Sequence, residues 1–242
     1  MLTRGREQLS SGLMVALDMD EGDEAVQLAA EIGRDVAALK VGSQLFTRYG
    51  PELVHRITAS GGQVFLDLKY HDIPNTVAAG VRSAAQMGVS WLTVHASGGS
   101  KMIQAAKDAS GDTKVLAVTV LTSLDHKGIN EIGWSGDVRD QVVHLAVMAR
   151  RAGADGIVCS ALEVRSLRDA LDDGCVLVTP GIRPAGSSVD DQARVATPAG
   201  AVADGADYLV VGRPIVKAAD RKEAVRLILQ EMRQGDALRE SS

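Results

Sequence analysis

The sequence predicts a single (β/α)8 TIM barrel, and three observations predict it. Short apolar, β-branched runs recur along the chain and number eight. Segments of helical period separate them. Nearly every run exits into polar or charged residues, as the chemistry-bearing end of such a barrel does. Strands apolar on both faces and separated by helices imply a parallel sheet. Eight such units in 242 residues favour the closed barrel over its alternative, a doubly wound open sheet.

The strand runs fall at 13–18, 37–41, 64–69, 91–95, 115–120, 156–160, 176–179 and 208–212. Between the first two, 21–34 has helical period, with Ala25, Leu28, Ala29 and Ile32 on one face. A second clear pattern covers 140–152, with Val143, Ala146, Val147 and Arg150 at turn spacing. Pro214 suits the first turn of the last helix, which 217–232 continues. The core spans about 12–232, and the polar stretch 235–242 reads as a frayed, flexible tail. No low-complexity joint divides the chain.

Composition narrows the function. A hydrophobic share of 45% supports a sizeable core. The net charge of −5 argues against a nucleic-acid binder, which shows a basic surplus. Aromatic residues make up 3% of the chain, too few for base-stacking platforms. Cys159 and Cys175 both lie in apolar runs and read as reduced core thiols, which fits the cytoplasm. No stretch approaches the roughly 20 apolar residues that cross a bilayer, and no apolar signal core follows Met1. No His, Cys and carboxylate group has metal-ligand spacing.

The run Asp67-Leu68-Lys69-Tyr70-His71-Asp72 puts charge where the third strand ends. Asp67 and Lys69, at i and i+2, leave the same face of an extended segment. Asp72 follows, just before Ile73-Pro74-Asn75-Thr76. Unit charges about 4 Å apart near a protein surface interact by roughly 4 kcal/mol, so this spacing fixes both protonation state and geometry. A structural ion-pair network is the plainer reading of the same residues.

Other strand exits carry Asp18, Lys40, His95, then Thr122 with Ser123, then Thr179-Pro180-Gly181-Ile182-Arg183-Pro184, then Gly212-Arg213-Pro214. The loops after the seventh and eighth strands are the usual phosphate site of this architecture. Gly181 and Gly212 let backbone N–H groups approach an anion closely. A helix start near Pro214 adds partial positive charge. Arg213 offers a planar fork for phosphate oxygens, and Arg183 is the second cation; each alone also reads as a solvated surface charge. The small polar stretch 185–192 suggests a closing loop from which Gln192 reaches a ligand, or an ordinary capped helix start. His71 reads as packing or orienting backbone, His95 as either a structural histidine or a ligand contact. His55, His126 and His144 read as surface residues.

Taken together, Asp67-Leu68-Lys69-Tyr70-His71-Asp72-Ile73-Pro74-Asn75-Thr76, Thr179-Pro180-Gly181-Ile182-Arg183 and Val211-Gly212-Arg213-Pro214-Ile215 resemble the orotidine 5′-phosphate decarboxylase family of the bacterial type. The resemblance runs from Gly12 to about Met232; Tyr70 stands where Phe is commoner. It implies decarboxylation of orotidine 5′-monophosphate to uridine 5′-monophosphate with neither metal nor organic cofactor. It implies a homodimer in which Asp72, Ile73 and Thr76 enter the neighbouring site. By motif position, Lys40, Asp67, Lys69 and Asp72 are the catalytic charged array, with Lys69 the proton donor. Asp18 and Lys40 hold the ribose hydroxyls, and Thr122 and Ser123 lie near the nucleotide. Gln192, Gly212 and Arg213 bind phosphate beside Arg183, and Pro180 belongs to the same substrate-binding set. Two competing readings remain: a metal-dependent phosphosugar decarboxylase or aldolase of the same superfamily, which needs an added Glu at a strand exit, and a non-catalytic phosphate-ligand barrel.

Overall fold

Eight parallel strands pair in chain order, and the last closes on the first. The computed structural model describes residues 12–184 and 196–241. The order is β1 (Leu13–Ala16), α1 (Gly22–Ile32), β2 (Ala38–Gly42), α2 (Ser43–Ala59), β3 (Val64–Tyr70), α3 (Pro74–Gln86), β4 (Trp91–His95) and α4 (Ser100–Asp108). It continues with β5 (Lys114–Val118), α5 (His126–Glu131), α6 (Val138–Arg151), β6 (Gly156–Val158), α7 (Val164–Ala170), β7 (Val176–Thr179), α8 (Pro198–Ala203), β8 (Tyr208–Val211), α9 (Arg213–Val216) and α10 (Arg221–Glu240). This is the (β/α)8 barrel that the alternation predicts.

Two apolar cores explain why the strands are apolar on both faces. Met14, Ala16, Ala38, Phe65, Trp91, Leu116, Val178, Tyr208 and Val210 point inward and fill the barrel. Their neighbours, among them Leu13, Val15, Leu39, Leu66, Leu92, Val115, Leu177 and Leu209, point outward and pack beneath the helices. The period of two along each strand therefore feeds both cores. Trp91 and Tyr208 meet edge to face with centroids 5.0 Å apart, so the interior is packed solid below the mouth. Cys159 and Cys175 are free and buried, and burial pushes the Cys175 thiol up to about 11.

The helix α1 buries Ala25, Leu28, Ala29 and Ile32 as its period requires. Helix α6 corrects the expectation by one position: its buried residues are Val142, Leu145, Ala146 and Ala149. Both stripes satisfy the same spacing. Arg150 decides between them, because its guanidinium leaves the core side to donate two 2.8 Å hydrogen bonds to Asp172.

The C-terminal end differs more. The single last helix is two, with a break between α9 and α10 where the Asp220 carboxylate accepts from Glu223 N at 2.9 Å and caps the second. The stretch expected to be a frayed, flexible tail is helical to Glu240. The buried series Val225, Ile228, Met232 and Gly235 carries the apolar stripe past Met232, and Gly235 lies against Ala199 and Val202 of α8. Polar residues on the other faces hide that stripe in composition. Among the described residues no helix is long and apolar enough to cross a membrane.

Leu92 is fully buried in the outer core, whereas Leu238 is 58% exposed. Leu92→Ala should lower unfolding free energy by about 2–5 kcal/mol, and Leu238→Ala should stay within about 0.5 kcal/mol. Chemical denaturation of the two variants beside the parent checks both values.

Candidate active site

The same alternation that fills the barrel delivers charge to its mouth. Asp18 lies two residues beyond inward-facing Ala16, Lys40 two beyond Ala38, Asp67 two beyond Phe65, and Gly212 two beyond Val210. Each polar residue thus sits one layer above an apolar one. Asp18, Lys40, Asp67, Lys69, Thr122, Pro180, Gly181, Arg183, Gly212 and Arg213 line a single cleft of about 270 Å³, floored by Ala16, Phe65, Val158 and Val210. Larger clefts, of about 650 Å³ at the barrel floor and about 950 Å³ between α4 and α6, hold no acid–lysine pair from the strand exits. Convergent charge selects the smaller one.

Asp67 is the hub. Its Oδ1 lies 2.8 Å from Lys69 Nζ and its Oδ2 lies 3.4 Å from Lys40 Nζ. Lys40 Nζ is also 3.6 Å from Asp18 Oδ1. The side chains of Lys40 and Asp67 are 14% and 12% exposed, against 35% for Lys69, so Lys69 is the one that reaches outward. Burial alone would push the Asp67 carboxyl up. The Lys40 and Lys69 charges, with hydrogen bonds from Lys69 and Thr93, outweigh it and hold the group below the ordinary aspartate range.

The backbone at Lys69 is strained. With φ of 51° it is the only non-glycine residue at positive φ among the described residues. Such a conformation costs on the order of 1–3 kcal/mol and persists where surroundings enforce it. Here the β3–β4 register shifts between Leu66 and Tyr70, and Lys69 N donates to the Thr93 hydroxyl at 2.9 Å instead. The bulge re-aims Lys69, so Asp67 and Lys69 no longer follow plain strand alternation.

The opposite wall is suited to an anion. Gly181 has φ of 79°, in the region that favours glycine. Arg183 N donates to Ala196 O at 3.0 Å, and Ile182 pairs with Ala196, so both ends of the stretch 184–196 are tied together at the cleft. At Gly212 a Cβ would come within 3.1 Å of Asp18 Oδ2 and 3.3 Å of the Ala16 methyl group. A side chain here would push the Asp18 carboxylate aside by a few tenths of an ångström, and glycine lets the strand exit pass this close to the acid. Arg213 begins α9 directly behind it.

Not every expected residue joins the cleft. Asp72, Ile73 and Thr76 are exposed at the start of α3, with Ile73 67% exposed. The Asp72 carboxylate accepts from Ile73 N at 2.6 Å, and among the described residues it forms no ion pair with Lys40 or Lys69. Ser123 is exposed and outside the lining set, whereas Thr122 is within it. Gln192 lies outside the described residues. The His95 ring is 5.5 Å from that of His71, and burial, then His71 and Lys69, pull its pKa down against the pull of Asp67. The residues that sequence reasoning passed over are Thr93 and the apolar floor. Thr93 shares parity with Trp91 and His95, so the alternation of β4 was the available signal.

The lowered Asp67 pKa makes its charge a source of stability. The contribution is complete above the ordinary aspartate value of 3.8 and is lost as pH falls through the depressed value in the folded chain. Asp67→Asn should therefore flatten the loss of stability below pH 3.8 relative to the parent. Denaturation midpoints across an acid series check the slope.

Comparison with known proteins identifies the family. Residues 11–228 match the model of the Orotidine 5'-phosphate decarboxylase / HUMPS family. Orotidine 5'-phosphate decarboxylase of Halorhodospira halophila is 50% identical over 224 residues, spanning 91% of this chain and 95% of the relative. The crystal structure of orotidine 5'-phosphate decarboxylase from Lactobacillus acidophilus superposes with a TM-score of 0.82 at 41% identity, covering 92% of this chain and 99% of the other. The corresponding structure from Pyrococcus horikoshii gives a TM-score of 0.77 at 26% identity, covering 91% and 99%. With a family match over nearly its whole length and relatives near half identity, this chain belongs to the orotidine 5'-phosphate decarboxylase / HUMPS family.

Proposed function

We propose that this chain is a carboxy-lyase that converts orotidine 5′-monophosphate to uridine 5′-monophosphate and CO2. The observation that carries the reading is the Lys69 ammonium, held 2.8 Å from Asp67 in one cleft with Arg183 and Arg213. When the carboxylate leaves the pyrimidine ring, its bonding pair stays on the ring carbon in the ring plane, outside the π-system. A fixed ammonium beside that carbon stabilises the charge as it builds and then delivers its proton. Lys69 suits this as a compact point charge on a long stem. Asp67 holds it in place, and Lys40 with Asp18 continues the array toward the ribose hydroxyls. Thr122 and Ser123 lie near the nucleotide, Pro180 flanks it, and Arg183, Gly212, Arg213 and Gln192 take the phosphate.

Phosphate binding far from the reacting bond raises the rate if it assembles the array, because binding energy realised in the transition state lowers the barrier. Repulsion between Asp67 and the departing carboxylate is a secondary contribution. The active form is a homodimer. Asp72, Ile73 and Thr76, exposed on the rim beside the cleft, complete the partner's site. The reaction uses neither metal nor organic cofactor. Against the metal-dependent phosphosugar reading stands the Lys40 ammonium, which lies between Asp18 and Asp67 where a divalent cation would need those carboxylates. The enzyme acts in de novo pyrimidine synthesis in the cytoplasm.

Three measurements test this. Lys69→Ala should abolish the fall in ultraviolet absorbance of orotidine 5′-monophosphate while nucleotide monophosphate binding survives within about tenfold; retained turnover would overturn the assignment of Lys69. Activity should be unchanged in EDTA, and a chelator-sensitive enzyme would revive the metal-dependent reading. Mixing inactive Lys69→Ala with inactive Asp72→Ala chains should restore turnover that neither has alone, since a hybrid dimer rebuilds one intact site; no recovery on mixing would show that Asp72 does not act across a dimer.

A further inference from the structure

We infer that Thr93, which lies outside the lining of the cleft, is a positioning residue for the reaction, coupling the bulged backbone of Lys69 to the orientation of the Asp67 carboxylate. This deepens the decarboxylase reading and rests on it.

Thr93 is 1% exposed in the middle of β4, on the inward face shared by Trp91 and His95. Its hydroxyl makes two bonds of 2.9 Å, one with Lys69 N and one with Asp67 Oδ1. The proton directions follow from the partners. A backbone N–H only donates, and an ionised carboxylate only accepts. The Thr93 oxygen therefore accepts from Lys69, and its single proton goes to Asp67. Both functions of the hydroxyl are committed, and the β-branched side chain has little rotamer freedom with which to leave them.

This arrangement has two consequences for the array. First, Lys69 sits where the β3–β4 ladder loses register, so its N–H takes the Thr93 side chain in place of a strand partner. Thr93 thereby holds the one positive-φ side-chain-bearing residue among the described residues. Second, Thr93 and Lys69 Nζ both bind Oδ1 of Asp67, leaving Oδ2 to face Lys40 at 3.4 Å. The hydroxyl fixes which oxygen serves which lysine. Without it the carboxylate can rotate and the Lys69 stem can relax toward ordinary φ. The bound nucleotide would be unaffected, because Thr93 lies behind Asp67 and does not face the cleft.

The test is Thr93→Val, which keeps shape and removes both bonds, with Thr93→Ser, which keeps both bonds and loses a methyl group. Loss of a hydrogen bond to a charged group corresponds to roughly 10- to 100-fold. Thr93→Val should lower kcat by roughly that factor while KM and the affinity for uridine 5′-monophosphate stay within about threefold. Thr93→Ser should recover most of the loss. The acid limb of the kcat/KM profile should move to higher pH in Thr93→Val, because Asp67 loses a donor that favours its charged form. A kcat within twofold of the parent, or a Thr93→Ser enzyme as impaired as Thr93→Val, overturns the inference. If Thr93→Val does not fold, Thr93→Ala takes its place under the same criteria. Should the parent enzyme itself fail to decarboxylate, the functional reading falls. Positioning is then still decided by a crystal structure of Thr93→Val, in which an unchanged Lys69 φ and Asp67 rotamer would refute it.

Discussion

One carboxylate organises the mouth of this barrel. Asp67 stands between two ammonium groups, with Lys69 on one oxygen and Lys40 facing the other. Remove its charge and, among the described residues, Asp18 is the remaining carboxylate paired with either lysine. Breaking a largely buried pair of this kind costs about 3–5 kcal/mol in typical cases, because the surviving charge keeps its desolvation without its partner. The cleft therefore tolerates its lysines because Asp67 is present and ionised. That ionisation in turn depends on Lys40, Lys69 and Thr93 outweighing the effect of burial.

The barrel is what makes such crowding possible. A closed parallel sheet has no edge strand, so every strand must leave the structure through its ends. Inward residues in successive layers run from Trp91 and Tyr208 at the floor, through Phe65 and Val210, to Asp67 and Gly212 at the rim. The apolar layers beneath hold the charged layer in place and exclude water from below. The helices contribute from outside through the larger core, in which Leu39, Leu66 and Leu92 meet α-helical residues such as Ile57 and Val81. Rigid strands on both sides of Asp67 thus position charges to within hydrogen-bonding tolerance.

The anion wall and the charged array are joined physically. Gly212, at the exit of β8, passes so close to Asp18 that a Cβ there would lie 3.1 Å from the Asp18 carboxylate. Asp18 pairs with Lys40, and Lys40 faces Asp67. In the proposed reaction, a phosphate taken by Gly212 and Arg213 would sit at one end of the chain of contacts that leads through Asp18 and Lys40 to Asp67. The Ile182–Ala196 bridge directly follows Pro180 and Gly181 of that wall. If phosphate binds there as proposed, this connection is the route by which its binding energy would act at a distant bond.

Much of this was legible in the chain itself. Short apolar, β-branched runs alternating with helical period determined the barrel, because that pattern has few other ways to bury both faces of its strands. Charge at the strand exits marked the cleft, and Asp18, Lys40, Asp67, Lys69, Thr122, Pro180, Arg183, Gly212 and Arg213 converge there. Local pattern misjudged what depends on a neighbour. The buried face of α6 was settled by Arg150 turning to Asp172, and the helical end of α10 by its packing against α8. The bulge at Lys69 exists because β4 offers Thr93 across the sheet. Sequence records which groups each strand carries and which way alternation points them. Only closure of the barrel decides which strands stand side by side, and so which hydroxyl meets which amide, because those partners lie far apart along the chain.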